Sequence, residues 1–455
     1  MGNSAERNTG DQRRALGFWL CLALVVGNFI GSGIFLLPAQ LAPYGWNAFF
    51  GWAVTIAGAL CLAYVFARLA RAMPLAPGPF AYVERAFGRL AAFVVTWSYW
   101  IAIIVGNAAL AAASVSYLSL FAPSLASVSG LGALVAIALV WALTAANCVS
   151  LRVGGGIQAV TVIAKLVPLV VVIGITIIIL GENRQDAAPA LRASDLSLDS
   201  ISAAAALTLW ALLGVECAAV VARNVRDPGR NIPRATMAGT LLVGLIYICV
   251  SSAVAMLLPQ DQVAQSNAPI ALFVSYYWSP GLALFVGLFA AISCMGALNG
   301  FILLQGEMPL MMARSGGFPA WFAQTSRVGI PVRAHLLSSL CTSLLLAANY
   351  SSTLAELFQF MILLSTSSTL VLYLACALAA LRLQQVRVIA ISPVLLAIAT
   401  LGAIYSVWTL YGAGYDALKW GAALLLLGIL IYAAMRLSGA NPPAARAAAS
   451  PERGA

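Results

Sequence analysis

The sequence has little charge and almost no histidine. Charged residues make up 8% of the 455 positions, His335 is the single histidine, and Lys165 and Lys419 are the only lysines. One histidine excludes most zinc sites and histidine-based catalysis. Neither lysine completes a phosphate-binding loop of the GxxxxGK type. We therefore expect neither an enzyme nor an ATP-driven pump, and no metal or other cofactor.

Cysteine pairs and long polar stretches are also missing. The eight cysteines show no CxxC spacing, do not cluster with the histidine and all lie in or at the ends of apolar runs. This pattern predicts reduced, buried, small hydrophobic side chains. No polar stretch exceeds about twenty residues, so a separate soluble domain could not bury a core of its own.

Apolar residues dominate what remains. They make up 62% of the chain, and a bilayer-spanning helix needs roughly 20 to 25 mostly apolar residues. There is thus room for about a dozen spans in an all-α integral membrane protein. We place twelve transmembrane helices at approximately 16–38, 45–70, 90–117, 127–149, 157–181, 200–222, 235–258, 278–305, 334–350, 357–381, 388–411 and 417–437.

The basic residues alternate between the loops. Twenty of the 24 fall at the two termini or in every second loop, whereas Arg184, Arg192 and Lys419 lie in the other loops. By the positive-inside rule both termini are expected in the cytoplasm, with residues 1–15 as one tail and 438–455 as a second, disordered tail. The arginines are dispersed and follow this topology, so we expect no binding of nucleic acid.

Two predicted spans are interrupted near their middles. Glycines occur at 27, 31 and 33 within the first span, and Gly214 precedes Glu216 in the sixth. Paired discontinuities near the bilayer midplane are typical of the binding site of a secondary transporter. The alternative is that Gly27 and Gly31 form a GxxxG pattern that packs two continuous helices.

Three ionisable residues lie well inside predicted spans, namely Lys165, Glu216 and Glu307. Each needs a partner, a water-filled cavity or a neutralising proton. Glu216 follows the proposed break and could respond to pH by taking up a proton, or it could form a purely structural hydrogen bond. Lys165 could satisfy carbonyl groups freed by an unwound backbone. For Glu307 we expect pairing with Arg314 or a role in a gate.

Among uncharged residues, Trp210 lies mid-span close to Glu216, where its ring could cover a cation or an apolar substrate. Asn107 and Ser365 could orient a ligand, although bonding between helices is the more frequent use of such side chains.

Four segments together resemble the amino acid, polyamine and organocation superfamily, and within it the arginine/agmatine antiporters of the basic amino acid/polyamine group. They are GNFIGSGIFLLP at 27–38, GPFAY at 78–82, WALLGVE at 210–216 and NIPRAT at 231–236. The resemblance runs from about residue 14 to residue 437. It implies alternating access in a bacterial inner membrane, with the lipid bilayer and amino acid or amine substrates as partners, and it allows for a homodimer.

The same resemblance implies a five-plus-five inverted repeat with broken helices 1 and 6, within one transporter domain at 16–437. The first repeat covers about 16–181, the second about 200–381, and two extra helices follow at about 388–437.

The resemblance also assigns a substrate site. The amides of Ser32 and Gly33 would hold the substrate carboxylate, and Trp210 would stack on its side chain. The backbone around Phe29, Ile30 and Leu213 would meet the α-amino group. The side-chain pocket would be lined by Ala102, Ile103, Asn107, Leu110, Phe301 and Ser365, and the inner gate would consist of Tyr99, Glu216 and Tyr373.

The pocket departs from the antiporter pattern at several positions. Phe301, Ile103, Leu110 and Ala211 stand where the group has tryptophan, cysteine, methionine and serine. Lys165 resembles instead a lysine of neutral amino acid exchangers and proton-coupled relatives. The leading interpretation is a pH-responsive antiporter that exchanges arginine for agmatine. The alternative is a neutral or broad-range amino acid exchanger or a proton-coupled symporter.

Overall fold

The computed structural model describes residues 17–73, 78–149, 165–182, 190–216, 227–327, 329–349 and 353–438. Within these ranges the regular structure is helical, without strands. The described α-helices of eight or more residues are α1 Phe18–Phe29, α2 Ser32–Leu41, α3 Trp46–Ala72, α4 Pro79–Phe87, α5 Arg89–Leu118, α6 Leu131–Val149, α7 Leu166–Gly181, α8 Leu198–Ala211, α9 Pro228–Leu257, α10 Pro269–Tyr277, α11 Pro280–Gln305, α12 Glu307–Arg314, α13 Val332–Ala348, α14 Leu354–Gln385, α15 Pro393–Gly412 and α16 Gly414–Leu437.

The prediction of an all-α membrane protein is confirmed. Eight described helical segments are long and apolar enough to cross a bilayer, and α1 with α2 makes a ninth if the bent pair is one span. Three shorter apolar helices, α7, α8 and α13, overlap the remaining predicted spans. The count of twelve and the inverted repeat stay predictions. Both tails, apart from Ser438, and parts of the predicted spans at 157–181 and 200–222 lie outside the described residues.

Helix α5 lies at the centre of the protein and α16 at its edge. The most apolar window of α5 is 94% buried, against 6% for α16. Alanines at 108, 109, 111, 112 and 113 on α5 are completely buried. Because small side chains let helices approach closely in a membrane, this stretch of alanine allows α5 to contact several neighbours at once. Its principal neighbours are α11 and α14.

The cysteines follow the expectation only in part. Cys21, Cys294 and Cys376 are buried, but Cys249 on α9 is exposed. The prediction of burial was wrong for Cys249, because a small apolar side chain is equally compatible with the hydrocarbon of a bilayer as with a protein core. Cys217 lies outside the described residues.

Candidate functional site

The first predicted span is interrupted where its glycines lie. Helix α1 ends at Phe29, α2 begins at Ser32, and the two axes are bent by 44°. The break leaves carbonyl groups without the helical donors four residues later. Lys165 Nζ donates to the Gly27 carbonyl oxygen at 3.1 Å, and the Tyr247 hydroxyl donates to that of Phe29 at 2.8 Å. Lys165 thus binds the freed backbone, as its position in the sequence predicted.

The sixth span is also interrupted at its glycine. Helix α8 ends at Ala211, and residues 212–216 form a turn in which Gly214 has a φ of +111°. This conformation is readily available only to glycine, so the residue type permits the turn. The remainder of the span predicted at 200–222 lies outside the described residues.

Glu216 joins the turn to two other helices. Its Oε1 accepts a hydrogen bond from the Tyr99 hydroxyl of α5 at 2.6 Å, and its Oε2 accepts from the Tyr373 hydroxyl of α14 at 2.8 Å. The Tyr373 oxygen in turn accepts from the Gly214 amide at 3.1 Å. The three residues predicted as an inner gate therefore form one hydrogen-bonded group, buried at Glu216 and Tyr373.

A cavity of about 400 Å³ lies beside this group. Half of the sixteen predicted site residues contribute to its lining: Tyr99, Ala102, Ile103, Lys165, Leu213, Glu216, Phe301 and Ser365. Most of the lining is apolar, and the ionisable groups in it are Lys165, Glu216, Glu307 and Tyr99. Such a cavity suits a small molecule with an aliphatic body and a few polar groups.

The other predicted residues lie around the cavity without lining it. Phe29, Ile30, Ser32, Leu110 and Trp210 are nearly completely buried. A Cβ atom at Gly33 would lie 2.7 Å from the Ala211 Cβ and 3.3 Å from a Trp210 ring carbon. The N-terminus of α2 therefore packs directly against the end of α8. Gly31, two residues before Gly33, approaches Ala297, which is a lining residue.

Trp210 and Phe301 form an aromatic pair at the edge of the cavity. Their ring centroids are 6.2 Å apart with an interplanar angle of 52°. Gly106 of α5 faces both rings, because a Cβ atom there would lie 3.0 Å from a Phe301 carbon and 3.1 Å from Trp210 Cη2. Gly106 was not among the predicted site residues, because the sequence of a helix does not show which ring one of its glycines will face.

Asn107 and Ser365 bond to neighbouring helices. Asn107 Nδ2 donates to Gln305 Oε1 at 2.8 Å, and Ser365 Oγ donates to the Ala102 carbonyl oxygen at 2.7 Å. Gln305 Nε2 continues the chain of hydrogen bonds to Ser339 Oγ on α13 at 2.8 Å. The structure thus shows the interhelical use of both side chains, the alternative already open from the sequence.

Several lining residues were not predicted as part of the site. Pro79 and Phe80 come from the GPFAY segment, and Leu304, Met308 and Met311 from the end of α11 and from α12. The GPFAY segment was a sequence signal for the family but gave no role to its aromatic ring. The methionines lie in an apolar run that has no feature to distinguish a cavity wall from a packed core.

Comparison with known proteins gives this site a context. The family model described as amino acid permease matches residues 16–438. The chain belongs to the amino acid permease family. The superfamily membership expected from the four sequence segments is thereby confirmed, and with it the expectation of a transport protein.

Curated relatives in this family carry names of transporters. The cadaverine/lysine antiporter of Escherichia coli strain K12 is 35% identical over 333 residues, which cover 72% of this chain and 73% of the relative. The putrescine transporter PotE of the same strain is 29% identical over 418 residues, covering 90% and 93%. The putative arginine/ornithine antiporter of Bacillus subtilis strain 168 is 30% identical over 460 residues, covering 93% and 97%.

Proposed function

We propose that this permease is a secondary antiporter that exchanges a basic amino acid for a related amine by alternating access. The observation that carries the proposal is the cavity beside the turn that interrupts the sixth span, with Tyr99 and Glu216 of the hydrogen-bonded group in its lining. Lys165, which bonds to the break in the first span, lines the same cavity. Relatives named for lysine and cadaverine, putrescine, and arginine and ornithine support basic substrates. Arginine and agmatine remain our first candidate pair, with lysine and cadaverine as the next to test.

The broken helices supply complementary ends for an amino acid. The first turn of α2 leaves backbone N–H groups at Ser32 and Gly33 without intrahelical partners, and such a terminus favours a carboxylate. The carbonyl groups that end α8 favour an ammonium group. Those of Gly27 and Phe29 in α1 would accept it with their second lone pair, beside the hydrogen bonds from Lys165 and Tyr247. A substrate α-carboxylate and α-amino group would bind to these ends, and the side chain would extend along the apolar wall that includes Ile103 and Phe301.

Glu216 is the proposed pH-responsive group. Both of its carboxylate oxygens accept a hydrogen bond from a tyrosine. Protonation turns one of these oxygens into a donor, so at least one tyrosine contact has to rearrange. Because Tyr99 and Tyr373 belong to different helices, this rearrangement would change how α5 and α14 are held at the turn after α8.

Exchange in proteoliposomes tests the proposal. Vesicles are loaded with agmatine, arginine, cadaverine, lysine or buffer, and uptake of labelled arginine or lysine is followed at acidic and neutral pH. We expect uptake that depends on an internal basic substrate and resists an excess of unlabelled neutral amino acids. Uptake of neutral amino acids without uptake of any basic one would overturn the proposal.

A second candidate function rests on Lys165. Its ammonium group is buried and bonds to the Gly27 carbonyl at the helix break, where a fixed positive charge would disfavour a doubly charged amine. This favours a neutral or broad-range amino acid exchanger or a proton-coupled symporter. Lys165→Ala separates the two functions, because coupling by the lysine would be lost in a symporter, whereas unchanged exchange would argue against this candidate.

A further inference from the structure

Glu307 occupies an unusual place at the wall of the cavity. It begins α12 directly after α11 and is one of the lining residues. Glu307 itself is exposed. Four neighbouring residues of α12 are buried, namely Met308, Pro309, Leu310 and Met312. Glu307 is thus both exposed and part of the cavity lining.

Within the described part of the chain, the Glu307 carboxylate has no hydrogen-bond or salt-bridge partner. Arg314, with which the sequence predicted a pairing, forms no salt bridge with Glu307, although its charge acts on the carboxylate over a longer distance. Arg314 lies seven residues further along the same helix, which corresponds to roughly 10 Å of helical rise. The salt bridge found nearby joins Arg89 to Glu84 instead. The carboxylate therefore has no direct ionic contact, and Arg314 acts on its charge only at a distance.

The other charged groups of the cavity are already engaged. Lys165 donates to the Gly27 carbonyl, and Glu216 accepts from two tyrosines. Between Glu216 and Glu307 the wall consists largely of apolar side chains, among them Leu304 and Met308. A second pocket of about 120 Å³ shares Phe80 and Met311 with the cavity and extends to the exposed Arg89. The cavity thus adjoins this second pocket at Phe80 and Met311.

We propose that Glu307 is the counter-ion for the side-chain cation of the substrate, and that it selects aliphatic chains that carry an ammonium or guanidinium group at the end remote from the α-carbon. The inference rests on the proposed function and names a residue and substrate class for the same cavity. An acidic group on a largely apolar wall is complementary to an alkyl chain with a terminal positive charge. A neutral chain of equal length gains nothing from the carboxylate.

The experiment compares lysine with norleucine, which has the same chain length without the terminal ammonium group. Exchange by Glu307→Gln, Glu307→Asp and parent protein is measured in proteoliposomes, with cadaverine as a second cationic substrate. For Glu307→Gln we expect the KM for lysine and cadaverine to rise about five- to tenfold, as for loss of a partly solvated ionic contact. Norleucine, which should compete only weakly with the parent protein, should compete equally weakly with Glu307→Gln, and Glu307→Asp should retain part of the preference for lysine.

Asp227→Asn is the matched control. Asp227 is exposed just before α9, in a sequence segment rich in arginine. Its replacement removes the same charge, and Asp227 does not line the cavity. Asparagine also tolerates the left-handed backbone at this position. We expect unchanged KM values. An equal rise in both variants would mean a general surface-potential effect and would overturn the inference.

The remaining outcomes separate the inference from the function on which it rests. If Glu307→Gln weakens norleucine and lysine equally, or lowers only the thermal stability, then Glu307 has a structural role at the start of α12 and the inference is wrong. If the parent protein exchanges basic substrates and Glu307→Gln matches it, the inference fails while the proposed function stands. If the parent exchanges no basic substrate, the proposed function fails first.

Discussion

Replacement of Gly106 by alanine should reposition the aromatic pair at the cavity. The new Cβ atom would lie 3.0 Å from a Phe301 ring carbon and 3.1 Å from Trp210 Cη2, closer than ordinary carbon contacts of about 3.5 to 4.0 Å. At least one ring must therefore move by several tenths of an ångström. Because Trp210 is the proposed stacking partner of the substrate side chain, the shift should weaken substrate binding.

The size of the change in stability caused by Gly106→Ala follows from two opposing effects. Alanine in place of glycine in a helix interior stabilises by about 1 kcal/mol, whereas overpacking a well-filled interior costs about 1 to 3 kcal/mol. Gly106→Ala should thus range from nearly neutral to about 2 kcal/mol less stable than the parent. Gly174→Ala is the matched control, since a Cβ atom at Gly174 of α7 meets nothing within 4 Å, and it shows the helical gain alone.

Thermal unfolding in detergent and the KM for exchange measure the two consequences. We expect Gly106→Ala to unfold at a lower temperature than Gly174→Ala and its KM for basic substrates to rise up to about tenfold, which corresponds to 1.4 kcal/mol. Adding Phe301→Leu, which removes the colliding ring carbons, should recover part of the lost stability. A Gly106→Ala protein with the KM and the unfolding temperature of Gly174→Ala would refute this account of the packing.

Three further predictions concern the broken helices. Gly33→Ala should abolish exchange in proteoliposomes while the protein still inserts. The new Cβ would lie 2.8 Å from the Ala211 Cα, a backbone atom that cannot rotate away. Retained exchange would show that α2 and α8 can separate there. Tyr373→Phe should lower stability by about 1 to 3 kcal/mol in thermal unfolding, since it leaves buried groups without a partner. Tyr99→Phe should lower stability less, and a larger loss for Tyr99→Phe than for Tyr373→Phe would contradict the structure. Glu216→Gln should flatten the dependence of exchange rate on pH, and a profile identical to the parent would mean that Glu216 has only a structural role.

The sequence predicted the helices well because long apolar runs report membrane spans directly. Their ends were less accurate. Helix α14 begins at Leu354, three residues before the predicted span, after a capping box of Thr353 and Glu356. Helix α9 begins at Pro228, within the polar segment that precedes its span. Hydropathy measures where a chain enters hydrocarbon, whereas helices continue into the interface until a cap or a turn ends them.

The site was predictable where local sequence determines backbone conformation, and less so where distant helices meet. Gly214 permits its turn whatever lies around it, and the motif that contains it also located Glu216. Asn107 was expected to face a ligand, yet it donates to Gln305, 198 residues away. Which side chain faces a cavity and which faces a neighbour depends on the rotation of two helices about their axes, and one sequence without a partner surface does not determine that rotation.

The cavity and the contacts opposite it suggest which interactions the proposed alternating-access cycle would exchange. The cavity lies towards the end of α5 at Arg89, where Phe80 and Glu307 contribute to its wall. Towards the other end, Gln40 of α2 donates to the Ala355 carbonyl of α14 at 3.3 Å, a contact that contributes only about 1 kcal/mol. Two conformations interconvert readily only when their free energies are close, so a weak closure on one side is suited to such a cycle. The Glu216 group joins α5, α14 and the turn after α8 beside the cavity, and its rearrangement on protonation would therefore act on α14, which also takes part in the Gln40 contact on the opposite side.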